Sequence, residues 1–384
     1  MTSQQEFTVG VEEEFLLVDA ESRRLRPQAE EVLCDAGREL GETGQLDQEF
    51  KRSQLEHGTA VCHSLEELGE EITRLRRTLM AAAERSGARI AASGTHPFSH
   101  WQEEGAQTTH KESYLGLERD YQRLAREKII CGCHVHVRIA DPDFGIQVLD
   151  RVRPWLPAVL ALSVNSPFWL GEDTGYASFR TEIWRRWPTA GIPEPFESRA
   201  DYDRLVGVML QTRCIDDPAR LHWDVRPSQR YPTLEFRIAD VCLTVDEAVT
   251  VAGLVRALVR TCHAEAVDGR PPSRPRAELL RMAVWRAARY GLEGDLIDVV
   301  GERSVPAPEM LAILLDYVRP ALDEHDEWEA VSQVVDKIVQ AGTGAVRQKR
   351  AFAGAGRLED VVDFVVGSTE SPAGASAPTV RLLR

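Results

Sequence analysis

The stretch "CGCHVHVRI", Cys131–Ile139, sets two cysteines and two histidines within six residues. As a string of metal ligands it suggests zinc. As a β-strand, whose successive side chains point to opposite faces, it sorts differently. His134 and His136 fall on one face, and Cys131, Cys133, Val135 and Val137 on the other. One ion cannot draw ligands through both faces of an intact sheet. The cysteines therefore read as small buried hydrophobes, and the histidines as part of a polar face.

Three further stretches repeat the arrangement. In "GVEEEF", Glu12 and Glu14 share a face with Glu13 opposite; in "QLEHG", Gln54 and Glu56 pair. In "LEFRI", Glu235 and Arg237 share one face while Leu234, Phe236 and Ile238 take the other. Carboxylates at i and i+2 lie roughly 6.7 Å apart and repel by roughly 2–3 kcal/mol at an effective dielectric near 20. A solvated strand end explains Glu12 and Glu14 alone, but it is a poor explanation of four strands built alike. A bound cation reverses the sign of the repulsion, and carboxylates with an imidazole suit Mg²⁺ or Mn²⁺.

Around these strands the chain reads as α+β, a largely antiparallel sheet faced by helices. The clearest helix spans 64–86, with a Ser64/Glu67 capping box and an apolar face of Leu65, Leu68, Ile72, Leu75 and Leu79. A second, apolar nearly all round, runs from Asp246 to about Val267. Others are expected near 112–128, 144–164, 276–290, 307–318 and 326–341. Strands are expected in "FTVGVEEEFLLVD", "KRSQLEHGTAV", "ARIAASGTHP", "IICGCHVHVRI" and "YPTLEFRIADV". The Pro- and Trp-rich stretch 165–200 reads as a long, ordered loop. Residues 1–367 read as a single domain, and 368–384, with "STESPAGASAP", as a flexible tail.

The bulk numbers narrow the function. The 384 residues are 28% charged and 43% hydrophobic, a globular composition, and a net charge of −15 argues against a nucleic-acid partner. No signal peptide or membrane span is evident, and seven scattered cysteines fit reduced thiols, so a cytoplasmic location is expected. P-loop, HExxH and GxSxG signatures are absent from the sequence. Basic residues gather in the irregular regions: Arg180, then Arg226, Arg230 and Arg237, then Arg347 and Arg350. Arginine forks match carboxylate and phosphate, and metal ions with arginines together supply what phosphoryl transfer needs.

The stretches "VGVEEEFLLVD", "QLEHGT", "SGTHP", "CGCHVHV", "NSPFW…DTGYASFR", "WDVRPSQRYPTLEFRIADVCLTVDEA" and "GTGAVRQ", in order from about residue 7 to about 350, resemble the carboxylate–amine ligases of the type 2 glutamate–cysteine ligase family. The resemblance implies a glutamine synthetase-like α+β fold whose antiparallel sheet forms an acidic funnel, with helices packed on its outer face. It implies ATP and Mg²⁺ (or Mn²⁺), phosphorylation of a carboxylate, and attack of an amine on the acyl phosphate. By motif, Glu12, Glu14, Glu56, His134 and Glu235 would hold metal, and Arg237 and Arg180 would act on the transferred phosphate or substrate. Arg226, Arg230 and Arg347 would bind nucleotide or substrate anions. The partners would be small-molecule acids and amines, glutamate and cysteine by default, with a homodimer one option. Two positions stand apart: Arg138 replaces a residue that is usually small in this family, and His136 is either ligand or supporting group. A metal-dependent amide hydrolase, or a binding protein on the same scaffold, is the alternative.

Overall fold

The computed structural model describes residues 7–41 and 45–371. The strands in chain order are β1 (Val9–Asp19), β2 (Gln45–Gln48), β3 (Gln54–Gly58), β4 (Ala88–Ala91), β5 (Gly132–Arg138), β6 (Phe168–Trp169), β7 (Glu172–Asp173), β8 (Val225–Pro227), β9 (Thr233–Asp240), β10 (Asp295–Asp298) and β11 (Arg303–Pro306). Seven of them form one sheet in the order β2-β3-β1-β5-β9-β8, with β4 on the far half of β1. Every pairing in it is antiparallel. The α+β expectation holds.

Alternation sorts the central strands as their sequence demands. Val9, Val11, Cys133, Val135, Val137, Leu234 and Phe236 are buried on one face, packed with the helices Leu65–Arg85, Leu156–Ser163 and Val245–Val267. Ser64 caps the first of these by accepting from the Glu67 amide, and Thr244 caps the third in the same way. Glu13 also points into this face, where it is fully buried. Arg76 meets both its oxygens, at 2.9 and 2.6 Å, and His57 Nε2 lies 3.2 Å away. The opposite face, with Glu12, Glu14, Glu56, His134, His136 and Glu235, forms the funnel.

Several expectations need correction. The helix near 112–128 divides at Gln122, whose φ is 50°, into Glu112–Tyr121 and Arg123–Arg126. The helix near 144–164 is Pro142–Val152 and Leu156–Ser163 joined by a 3₁₀ turn, where Pro154 and Pro157 remove amide donors. Helices Ala29–Leu40, Arg199–Gln211, Gly344–Ala355 and Leu358–Thr369 were not anticipated. The stretch 165–200 contains the β6–β7 hairpin and the helix Phe179–Trp184, with Trp169, Trp184 and Trp187 buried. The expected flexible tail does not include Ser368 and Thr369, which are buried, and Thr369 Oγ1 accepts from the Ala92 amide at 3.0 Å. Residues 372–384 lie outside the described part.

Candidate active site

Strand register builds the site. His136 lies directly across from Glu235, and Glu12 from His134, so Glu12, His136 and Glu235 converge from three adjacent strands. One ligand atom from each lies within 4.8 Å of the others. His136 Nδ1 is hydrogen-bonded to Thr233 Oγ1 at 3.0 Å. Its Nε2, buried without a hydrogen bond, faces Glu12 Oε1 at 3.3 Å. A hydroxyl that holds one ring nitrogen while the other is left open is how proteins orient a metal-binding imidazole.

A second group lies beside the first. Glu14 is directly across from Glu56, and Glu49, on the turn between β2 and β3, completes a set whose oxygens are again within 4.8 Å. Lys128 Nζ stands 2.9 Å from Glu49, and the Tyr114 hydroxyl donates to Glu49 at 3.2 Å. The Gly132 amide donates to Glu14 at 2.6 Å. His134 sits between the groups, Nδ1 3.3 Å from Glu12 and Nε2 3.8 Å from Glu14. It touches both groups, but His136 supplies the nitrogen of the first. His136 was open in the sequence and Glu49 was missed. The signal for Glu49 was the alternation of Asp47 and Glu49 in "QLDQEF", a segment not read as a strand.

Electrostatics separate these carboxylates. Burial by itself raises Glu12, Glu49, Glu56 and Glu235. For Glu12, hydrogen bonds and charge from His134 and His136 outweigh burial and hold it well below the usual range. Glu235 is likewise held low against burial, by Arg237 and Arg226, and Glu49 by Lys128. Glu56 forms no ion pair with a cation among the described residues. Burial and then Glu12, Glu49, Glu14 and Asp47 push it well above the ordinary carboxylate value. An oxygen-rich site that strains against its own charge fits a hard divalent cation.

The arginines divide by what they touch. Arg237 pairs with Glu235 beside the Trp184 ring, and its Nε is buried without a partner. Arg226 also grips Glu235, at 2.8 and 3.3 Å, and donates to the Ala219 and Leu221 carbonyls. Arg230 is exposed at the cavity wall. Two expectations need correcting. Arg347 lines neither cavity of the site; it pairs with Glu247 on the helix Val245–Val267. Arg180 is buried beneath the strands. Between Cys133 and Val135, β9 carries a bulge that sets Arg237 and Ile238 against His134 alone. Arg180 donates to the two bulge carbonyls, Arg237 O at 3.1 Å and Ile238 O at 3.4 Å, with Asp240 3.9 Å away. It packs over Gly132, where any Cβ would come within 3.0 Å of its Cζ. Its contacts position the strand that carries Arg237.

Two cavities open onto these groups. The larger, about 770 Å³, reaches Glu49, Lys128 and Arg237 and is walled by Phe50, Tyr114, Trp184, Trp187 and His222. The smaller, about 190 Å³, reaches Glu12 and His136 between Thr8 and the first residues of β1, the segment Gly58–Val61 and the residues Tyr231–Thr233.

Comparison with known proteins gives the family. A protein of Frankia alni with a provisional glutamate–cysteine ligase 2 name is 41% identical over 97% of this chain and 100% of its own length. One from Rhodopirellula baltica is 40% identical over 94% and 96%. A second Frankia alni protein is 43% identical over 99% of this chain, which spans only 44% of that relative's length. Among solved structures, a bifunctional glutathione synthetase from Pasteurella multocida has a TM-score of 0.70 at 14% identity, covering 96% of this chain and 52% of that one. A glutamate–cysteine ligase from Francisella tularensis, in complex with AMP, has a TM-score of 0.65 at 13% identity, covering 98% and 91%. At such identities these two share the fold. The sequence model of glutamate-cysteine ligase family 2 matches residues 8–364, and the chain belongs to that family.

Proposed function

We propose that this chain is an ATP- and Mg²⁺-dependent carboxylate–amine ligase that makes an amide through an acyl phosphate. The observation that carries the reading is the pair of acidic groups, Glu12/His136/Glu235 and Glu14/Glu49/Glu56, lying between two cavities. Membership of a glutamate–cysteine ligase family, and a shared fold with a neighbour solved with AMP, support nucleotide use. Divalent ions held there would neutralise phosphate oxygens and draw the phosphoryl group and the acceptor carboxylate together.

The chain's own residues supply the rest. The small slot is largely apolar, with Val61 and Tyr231 exposed in its lining, which suits a nucleobase with its phosphates directed at Glu12 and His136. The larger cavity suits the acid and the amine. Arg237, oriented by Glu235, offers a cation where charge gathers on the transferred group. A carboxylate oxygen attacks the γ-phosphorus and ADP leaves. The amine then attacks the acyl carbon, and phosphate leaves with the carboxylate oxygen. Burial and surrounding cations keep His222 unprotonated, so it adds no positive charge to repel an incoming amine. Glutamate and cysteine are the first pair to test. The folded unit from residue 7 to Thr369 would act as one catalytic domain.

ADP release from purified protein with Mg-ATP, glutamate and a panel of amines led by cysteine tests this. ADP formation should require both an acid and an amine, and Glu235→Gln should lower it at least about 100-fold. Amide cleavage without nucleotide would instead identify a hydrolase.

A further inference from the structure

Arg138 ends β5 two residues beyond His136, on the same face, and lines the small slot. It is half-buried, and its Nε is enclosed without a hydrogen-bond partner. Its guanidinium makes no ion pair among the described residues, although Glu12 lines the same slot. The surrounding chain fixes it there. Its amide donates to the Thr8 carbonyl at 2.9 Å, and Thr233 lies directly across the strand pair. Arg226 and Arg237 are engaged by Glu235 and Arg180 by backbone carbonyls, and Arg230 lines the other cavity. Arg138 is thus a cation with an unspent donor, lining a slot that Glu12 and His136 also line.

We propose that Arg138 is an anion-binding, specificity-determining residue that grips a phosphate oxygen of the nucleotide in this slot. The inference rests on assigning the slot to the nucleotide, as above. A base held in this slot against Val61 and Tyr231 would bring its phosphates to Arg138, Glu12 and His136, which line the same slot. A guanidinium fork meets phosphate bidentately, and an ammonium does not. Arg138 therefore adds affinity for the phosphorylated ligand and little for the nucleoside.

The test is equilibrium binding of Mg-ATP, Mg-ADP, AMP and adenosine to the wild type, Arg138→Ala and Arg138→Lys, with thermal melting of each variant as the fold control. Arg138→Ala should weaken Mg-ATP about 10- to 100-fold and leave adenosine within about 2-fold, with Arg138→Lys between. Unchanged Mg-ATP affinity in a folded Arg138→Ala overturns the proposal. So does a rise confined to the KM of the acid substrate, which would assign the arginine to a carboxylate. Wild type that binds no nucleotide at all would instead sink the ligase reading on which the assignment depends.

Discussion

At Glu56 the chain places a half-buried carboxylate against Glu12, Glu49, Glu14 and Asp47, with no ion pair to it among the described residues. Its carboxyl binds a proton more tightly folded than unfolded. In metal-free protein the stability it carries is therefore full below the ordinary carboxylate value of 4.5. That stability is lost as pH rises through the elevated folded value, at about 1.4 kcal/mol per pH unit. Glu56→Gln removes the slope. In chelator the variant should melt above wild type near neutral pH, with a gap that narrows towards about pH 4.5. Added Mg²⁺ should raise the Tm of wild type more than that of the variant. A variant that melts lower in chelator would contradict the charge-strained site. The cysteines give a second check at this scale. Cys34 and Cys214 are exposed and the other five buried, and none belongs to either acidic group. Alkylation of folded protein, followed by peptide mass mapping, should label those two and leave activity intact.

Among the elements, β5 and β9 matter most, because the bulge in their pairing is what aims Arg237. Gly132 leaves room for the Arg180 guanidinium, which holds the bulge carbonyls. Gly132→Ala should cost about 1–3 kcal/mol in denaturant unfolding, as overpacking does. Arg180→Lys should lower kcat more than it changes KM, because it acts through the placement of Arg237. An unchanged kcat in folded Arg180→Lys would remove that role. Strand alternation made the faces of Glu12, Glu14, His134, His136, Glu56 and Glu235 legible in sequence. The bulge was not legible, since "LEFRIAD" alternates without a break and only the partner strand's register creates it. The retirement of Arg347 to Glu247 was equally hidden, because it depends on a contact between segments distant in sequence.

Across the whole molecule, family motifs divide between the site and its frame. "SGTHP", "NSPFW" and "GTGAVRQ" meet in one buried polar network. Gln348 donates to Asn165 Oδ1 at 2.8 Å, and Asn165 donates to the Ala92 and Val241 carbonyls. Gly344 packs against Asn165, where a Cβ would collide with the amide. Glu13 and Arg76 perform a similar framing task on the helix-covered face. Burial raises Glu13, but Arg76 and His57 overcome it and hold the carboxyl near about 2. The stability it contributes is full above the ordinary carboxylate value of 4.5 and is lost as pH falls towards about 2. Arg76→Met should cost roughly 3–5 kcal/mol by stranding that charge. The double variant Glu13→Leu/Arg76→Met should recover much of the loss, and a double variant no more stable than the single would contradict this. No described helix is long and apolar enough to cross a membrane.

The most direct test of the whole account follows an oxygen atom. The acid substrate, labelled with ¹⁸O in the carboxylate to be activated, is turned over with Mg-ATP and its amine, and the released phosphate is analysed by mass spectrometry. If these acidic groups serve acyl-phosphate formation, one ¹⁸O per turnover passes from the carboxylate to phosphate, and Glu235→Gln abolishes the transfer. Phosphate that carries no label from the acid, released at the same rate with or without the amine, would mean that the site hydrolyses ATP and does not ligate.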